Sequence, residues 1–201
     1  FLGFNDIELK VEYVEYGYSA TPPDAPEVEG YTFTGWDKEF DNVTSDLTVK
    51  AKYEINHYAL TLVAGHGTIA ITDESGEHSL NPDMIMHGTI VKLIVTADEG
   101  YQFTQWSDGN TDNPRLVFAV QDTTFTAQFD YNQYSIMLNV DNNIHGTVSG
   151  VGNYNYLSER TISATSNYGY HFTQWSDGNT ENPRIITLTQ DVTMIAQFDK
   201  N

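Results

Sequence analysis

The sequence predicts an all-β or nearly all-β chain, built as three small tandem modules of short antiparallel strands with little helix. Three observations carry that reading. The stretch Gly100-Tyr101-Gln102-Phe103-Thr104-Gln105-Trp106-Ser107-Asp108-Gly109-Asn110-Thr111 returns nearly letter for letter at 169–180, and in shortened form at 30–37. Apolar residues alternate with polar ones at a period of two in many short runs, the pattern of strands with one face in a core and one in water. No apolar period of 3.6 persists beyond about two turns.

The repeat is settled first because it fixes what counts as one unit. The only tryptophans, Trp36, Trp106 and Trp175, lie inside the repeated stretch at nearly equal intervals. They place modules at residues 1–54, 55–130 and 131–201. Units of this size sit near the lower limit for a self-supporting core, so contacts between neighbouring repeats are expected to matter.

In the first module Ile7, Leu9, Val11 and Tyr13 alternate with Glu8, Lys10 and Glu12, which predicts a half-buried strand within Phe1 to Tyr16. Gly17 and the run Pro22-Pro23-Asp24-Ala25-Pro26 then make a loop. Leu47, Val49, Ala51 and Tyr53 form one face of a closing strand. The second module begins with Leu60 and Leu62 and passes through His66-Gly67-Thr68 and a polar loop from Thr72 to Pro82. A strand bearing Val91, Leu93, Val95 and Ala97 follows, and after the motif come Leu116 to Val120 and a closing strand with Phe125, Ala127 and Phe129 inward. The third module keeps this order, with Ile136, Leu138 and Val140, then His145-Gly146-Thr147, then Ile162 and Ala164, and last Met194, Ala196 and Phe198. Residues 100–130 and 169–199 align without a gap, with about two positions in three identical, whereas the polar loop is clearly shorter in the third module. Length change confined to a loop fits a fixed sheet with variable connections. One short helical turn is expected, near Asp83 to His87 or in the proline-rich segment.

The repeated stretch holds the residues assigned a structural role: Tyr31, Phe33 and Trp36, Tyr101, Phe103 and Trp106, Tyr170, Phe172 and Trp175. Each Trp stands at odd spacing from its Tyr and Phe, so a regular strand would turn it to the opposite face. A bulge at Thr104-Gln105 would return it to the core, and Gly35 at the equivalent place points the same way. After the Trp, Asp108, Asn110 and Asp112 alternate like the oxygen ligands of a calcium loop, and Asp177, Asn179 and Glu181 repeat that spacing. The segment lacks the Gly at position six and the Glu at position twelve of an EF-hand. An ordinary turn rich in Asp, Gly, Asn and Pro is the favoured reading, and no cofactor other than that alternative calcium is expected.

The formal net charge is −19, and the two earlier modules carry most of it. Such a chain repels nucleic-acid phosphates and anionic membrane surfaces. No apolar run reaches the length of a membrane-spanning helix. Cysteine is absent, which rules out disulfides and thiolate metal sites within these residues. The six histidines show no zinc spacing such as HExxH, His66 and His145 read as loop residues, and no nucleophile elbow surrounds any serine. Asn42-Val43-Thr44 matches the glycosylation sequon. Tyr154, Tyr156 and Tyr168 are candidates for stacking on sugars, with packing in a core or junction as the favoured alternative. The start at Phe1 without a leader, and the stop after a closing strand, are expected of a piece of a longer chain.

Together these residues carry a family likeness. Val14-Glu15-Tyr16-Gly17, Glu29-Gly30-Tyr31-Thr32-Phe33-Thr34-Gly35-Trp36-Asp37 and Val43 to Tyr53 resemble the internalin-type B-repeat, also called the Listeria–Bacteroides repeat. Modules two and three resemble its divergent form, with Gly-Tyr-x-Phe-x-x-Trp-Ser-Asp-Gly, then Asn-Pro, then a closing Ala-Gln-Phe at 127–129 and 196–198. The resemblance implies small β-grasp-like modules on secreted or wall-attached bacterial proteins, acting as a non-catalytic stalk, spacer or adhesion segment. The partners it implies are neighbouring repeats and domains of the same longer chain, with a host protein or glycan as ligand of an adhesin, and no nucleic acid or membrane insertion. An accessory segment of a larger surface enzyme is a further alternative. The chain itself is expected to be a monomer without catalytic residues, displayed outside a bacterial cell. Gln105 and Gln174 stand where the first module has Gly35, which leaves the backbone there, and a strict β-grasp assignment, to be settled by the structure.

Overall fold

The computed structural model describes all residues from Phe1 to Asn201, and apart from one short 3-10 turn at Phe4–Asp6 its regular elements are strands. The first repeat contributes β1 (Tyr31–Trp36) and β2 (Ala51–Ile55). The second contributes β3 (His57–Tyr58), β4 (Leu60–Ala64), β5 (Gly67–Asp73), β6 (Ile85–Met86), β7 (Ile90–Ala97), β8 (Tyr101–Trp106), β9 (Arg115–Phe118) and β10 (Thr123–Tyr131). The third contributes β11 (Gln133–Val140), β12 (Gly146–Ser149), β13 (Gly152–Asn155), β14 (Glu159–Ser166), β15 (Tyr170–Trp175), β16 (Arg184–Thr187) and β17 (Val192–Lys200).

The chain divides into two compact units. One comprises Phe1–Val63, Ile69–Val95 and Asp112–Thr126; the other comprises Ala64–Thr68, Thr96–Thr111 and Ala127–Asn201. In the first, β1 and β2 form an antiparallel pair, β3 pairs with β6, and β7 pairs with β9. Its core is Val49, Leu60, Ile71, Ile85, Val91, Leu93, Val95, Ala119 and Phe125. The alternation in β7 is read out directly, because Val91, Leu93 and Val95 are buried while Lys92 and Ile94 between them are half-exposed.

The expected strand in Phe1 to Tyr16 does not form. Ile7, Val11 and Tyr13 are exposed, and Tyr13 is 99% exposed. Asn5 and Asp6 both take positive φ, near 60°, so the chain turns back on itself just after Phe4. The terminal amine then donates to Lys10 O, and Leu9 N–H donates to Phe1 O. Alternation predicts a strand only where a partner ladder exists, and here Phe1 and Phe4 do the inward packing instead. Phe1 meets Trp36 and Phe40 edge-on at 5.1 and 5.4 Å, and Phe4 lies against Tyr31 and Tyr53. The helical turn likewise falls at Phe4–Asp6, whereas Ile85–Met86 within Asp83 to His87 is strand.

The third repeat, wholly within the second unit, shows the module most completely. One sheet has the order β13-β11-β17-β15 and the other β12-β14-β16. Between them lies one core: Ile136 and Leu138 of β11, Ile162 and Ala164 of β14, Trp175 of β15, Ile186 of β16 with Leu188 beyond it, and Ala196 and Phe198 of β17. The first and last strands, β11 and β17, run parallel from Ile136↔Val192 to Val140↔Ala196, while every other ladder in the repeat is antiparallel. A parallel pair needs a long crossover, and here the strands from β12 to β16 provide it.

Candidate functional site

The repeated stretch forms the strand and turn that each repeat shares. In β15, Phe172 faces Phe198 of β17, but Gln174 already faces Gln197, so Thr173 is an extra residue and Trp175 comes opposite Ala196. The same bulge lies between Phe33 and Gly35 in β1 and between Phe103 and Gln105 in β8. The extra residue resets the side-chain alternation, so Phe172 and Trp175 share a face at 5.4 Å between ring centroids. Trp106 and Trp175 are 1% and 0% exposed, whereas Trp36 is half-buried. Tyr31, Tyr101, Phe103, Tyr170 and Phe172 are half-buried, and Phe33 is exposed but touches Trp36 and Tyr53.

Several oxygens of the following turn take internal bonds. Asp177 Oδ2 accepts from Arg184 Nη1 at 2.6 Å, and Asp177 Oδ1 accepts from Asn179 N–H. The Arg184 guanidinium, which outweighs the effect of burial, holds the Asp177 carboxyl below the usual carboxylate range. Asn179 Oδ1 accepts from Glu181 N–H, and the Glu181 carbonyl accepts from the Trp175 indole N–H at 3.0 Å. In the second repeat Asp108 Oδ1 accepts from Asn110 N–H, Trp106 N–H donates to Asn110 O, and Asp112 stands at the position of Glu181. No three His, Cys, Asp or Glu side chains cluster as a metal site. These bonds describe a turn that fixes the Trp.

Past the turn, one asparagine does the work of a strand. Asn182 Oδ1 accepts from Ala164 N–H at 2.9 Å and Asn182 Nδ2 donates to Ala164 O at 2.7 Å. The β14–β16 register ends at Ile162↔Arg184, so Asn182 occupies the next hydrogen-bonded position, opposite Ala164. Pro183 has no N–H to offer a ladder, and the primary amide carries the donor and acceptor that a backbone peptide would. Asn113 repeats the device on Val95 at 2.9 and 2.8 Å, again just beyond the last pair, Leu93↔Arg115. The Asn113-Pro114 and Asn182-Pro183 peptides are cis.

Sequence reasoning missed the role of the two His-Gly-Thr turns. His66 stacks on Tyr101 with ring centroids 4.0 Å apart and planes within 5°, and His145 stacks on Tyr170 at 4.4 Å. A Cβ on Gly67 would overlap Thr96 O, and one on Gly146 would overlap Thr165 O and the Phe198 ring. These glycines admit close backbone approach. Their joint recurrence with Gly-Tyr in two repeats was the available signal. Asp141 then ties the turn of the third repeat to β17. Burial pushes its carboxyl up, but the N–H groups of Phe198 and Asn142 and the His145 ring together hold it below its ordinary value.

Successive repeats meet through a recurring lock. Gly30 has φ +76°, its carbonyl accepts from Asn56 N–H, and the Asn56 carbonyl accepts from His87 N–H, both at 2.8 Å. The His87 ring lies over Gly30 so closely that any Cβ there would collide with it. One repeat on, Gly100 has φ +81°, its carbonyl accepts from Asn132 N–H at 2.8 Å, and Asn132 O accepts from Tyr156 N–H at 2.9 Å. Tyr156 covers Gly100 as His87 covers Gly30. Each covering ring is braced edge-on by a tyrosine just after the linking asparagine: Tyr58 on His87 at 5.9 Å and Tyr134 on Tyr156 at 6.3 Å. Tyr156 is thus a junction residue, and Tyr154 lies under Arg160, whose guanidinium carbon is 4.6 Å from the ring centroid. Tyr168 stays fully exposed, and Tyr13, Tyr16 and Tyr18 are exposed as well.

Two family models match three stretches of the chain. The divergent InlB B-repeat domain matches residues 58–133 and 136–201, and the Listeria-Bacteroides repeat domain matches residues 5–64. A predicted membrane protein of Evansella cellulosilytica is 27% identical over 179 residues, 81% of this chain and 26% of that protein. A predicted Gly-rich membrane protein of the same organism is 27% identical over 136 residues, 61% of this chain and 15% of its own length. Internalin H of Listeria monocytogenes is 29% identical over 127 residues, 55% of this chain and 21% of its own length. The chain therefore spans about a quarter or less of the curated relatives it matches. No helix in it is long and apolar enough to cross a membrane.

Proposed function

The chain belongs to the divergent InlB B-repeat family, and from that premise we propose that it is a non-catalytic repeat segment of a bacterial surface protein, spacing other parts of the same longer chain. The observation that carries this reading is the lock at Gly30–Asn56–His87, rebuilt at Gly100–Asn132–Tyr156. A spacer needs its repeats to hold their succession against thermal bending. Two backbone hydrogen bonds and a ring seated on a glycine at each junction supply that. Each repeat then needs contact only with its sequence neighbours, as in other repeat arrays. The names of the relatives, a membrane protein and an internalin, support a surface location. Small-angle scattering tests the reading: the maximum dimension is expected to grow with each repeat appended to the chain, and a particle that stays near-spherical would contradict it.

A second reading is favoured by the exposed tyrosines of the first repeat. Tyr13 at 99%, Tyr16 at 81% and Tyr18 at 66% exposure present amphipathic rings that an adhesin would lay against a glycan or a host protein. A glycan array and a pull-down from host-cell extract that lose their signal when all three become serine would support it; no signal from the unaltered chain would remove it.

A further inference from the structure

Gly169 is the third copy of the junction glycine, and its lock is half made. It has φ +86°, and its carbonyl accepts from Asn201 N–H at 3.0 Å, as Gly30 accepts from Asn56 and Gly100 from Asn132. His171 Nδ1 and Asn201 Oδ1 lie 3.0 Å apart, as Thr32 Oγ1 donates to Asn56 Oδ1 at 2.6 Å in the first copy. At the two completed junctions the space where a Cβ would project from the glycine is filled by a ring, His87 or Tyr156; at Gly169 nothing lies within 4 Å of that space.

We propose that Gly169 and Asn201 form a docking seat for the tyrosine or histidine of a further repeat of this family joined through Asn201. This rests on the reading of the chain as one stretch of a repeat array. The occupant follows from the two filled seats. Its ring stands over the glycine Cα, its own backbone N–H donates to the linking asparagine carbonyl, and a tyrosine just after that asparagine braces it edge-on. The ring in a filled seat comes from the repeat that follows the linking asparagine. His87 stands farther along the chain from Asn56 than Tyr156 does from Asn132, a difference that lies in the variable polar loop. The seat accepts either ring because recognition is by the bare glycine face and a backbone carbonyl, which demand a flat side chain at that place and no particular polar atom.

The test extends the full chain at Asn201 with a second copy of residues 133–201 and follows the Gly169 amide and α-proton resonances by NMR. The added tyrosine equivalent to Tyr156 is expected to move the Gly169 α-protons upfield, as the Tyr156 ring is expected to move those of Gly100. Serine at that added tyrosine returns them to their positions in the unextended chain. As a second measurement, Gly169→Ala lowers the melting temperature more in the extended chain than in the unextended one, since only the former adds a collision to the backbone strain. An unmoved Gly169 resonance beside a well-dispersed added repeat overturns the proposal, as does an equal effect of Gly169→Ala in both chains. A Gly169 shift that grows with concentration in the unextended chain assigns the seat to a second copy and also overturns it. If Gly100 loses its ring shift in Tyr156→Ser while Gly169 never gains one, the seat fails and the spacer reading stands.

Discussion

The first and third repeats carry the same strand, the same bulge and the same tryptophan, yet enclose that tryptophan differently. In the third, a second sheet, β12-β14-β16, closes over Trp175 and leaves it 0% exposed. In the first, the hairpin β1–β2 has no such cover, and Trp36 is sheltered by Phe1 and Phe33 while remaining half-exposed. The bulge fixes where the indole points; what surrounds it fixes how much it stabilises. The motif is therefore a local device whose energetic weight is set by the longer repeat around it.

That contrast is broken or upheld most directly by truncation. Trp175→Ala removes a fully enclosed indole and is expected to cost about 3–5 kcal/mol. Trp36→Ala is expected to cost clearly less, read by urea unfolding; equal losses would show that the second sheet adds nothing. Next in size is Asn182→Ala, which strips the partners from both the N–H and the C=O of buried Ala164 and is expected to cost about 2–3 kcal/mol. Asn182→Asp should not rescue it, because a carboxylate can accept from the N–H but cannot donate to the carbonyl.

A smaller effect of opposite sign extends the comparison to the second repeat. Leu157 has φ +59° where the second repeat has Gly88 at φ +77°, and their N–H groups make matching bonds, to Leu188 O and Ala119 O. Leu157 is 56% exposed and loses little by removal of its side chain. Leu157→Gly is expected to stabilise by about 1 kcal/mol, because a left-handed conformation costs a side chain about that much. A melting temperature that falls would contradict this.

Acid gives the smallest effect. The carboxyls of Asp73, Asp141, Asp177 and Asp191 are all held low by hydrogen bonds; Asp73 takes Ser75 and His78 as its main partners, and Asp191 accepts from Ser135 N–H. A lowered folded pKa contributes stability above the unfolded value, about 3.9, and loses it as the pH falls through the folded value. The melting temperature should thus decline below about pH 4, and Asp141→Asn should flatten that decline. An unchanged slope would place the Asp141 bonds among those without consequence.

What the sequence makes legible follows from what is local. Val91, Leu93 and Val95 could be placed inward because alternation and a partner strand coincide there, whereas Ile7 to Tyr13 alternate with no ladder to join. The bulge was readable from the odd spacing of Trp106 after Phe103. The role of Asn182 was not, since a side chain standing in for a peptide appears only once the β14–β16 register is known. The junction seats were hidden for a similar reason. A glycine at positive φ already accounts for Gly30 and Gly100, and the rings that cover them, His87 and Tyr156, belong to the next repeat along the chain. The parallel β11–β17 ladder, joining the two ends of a repeat, leaves no mark in either strand alone.

The central claim is that each junction lock holds a repeat in fixed orientation on the motif strand of the one before it. Backbone 15N relaxation of the full chain tests it most directly at the Gly100 lock. One anisotropic tumbling tensor describing β8 (Tyr101–Trp106) and residues 136–201 together is predicted, with Tyr156→Ser releasing residues 136–201. Independent, faster tumbling of residues 136–201 in the unaltered chain would contradict the account.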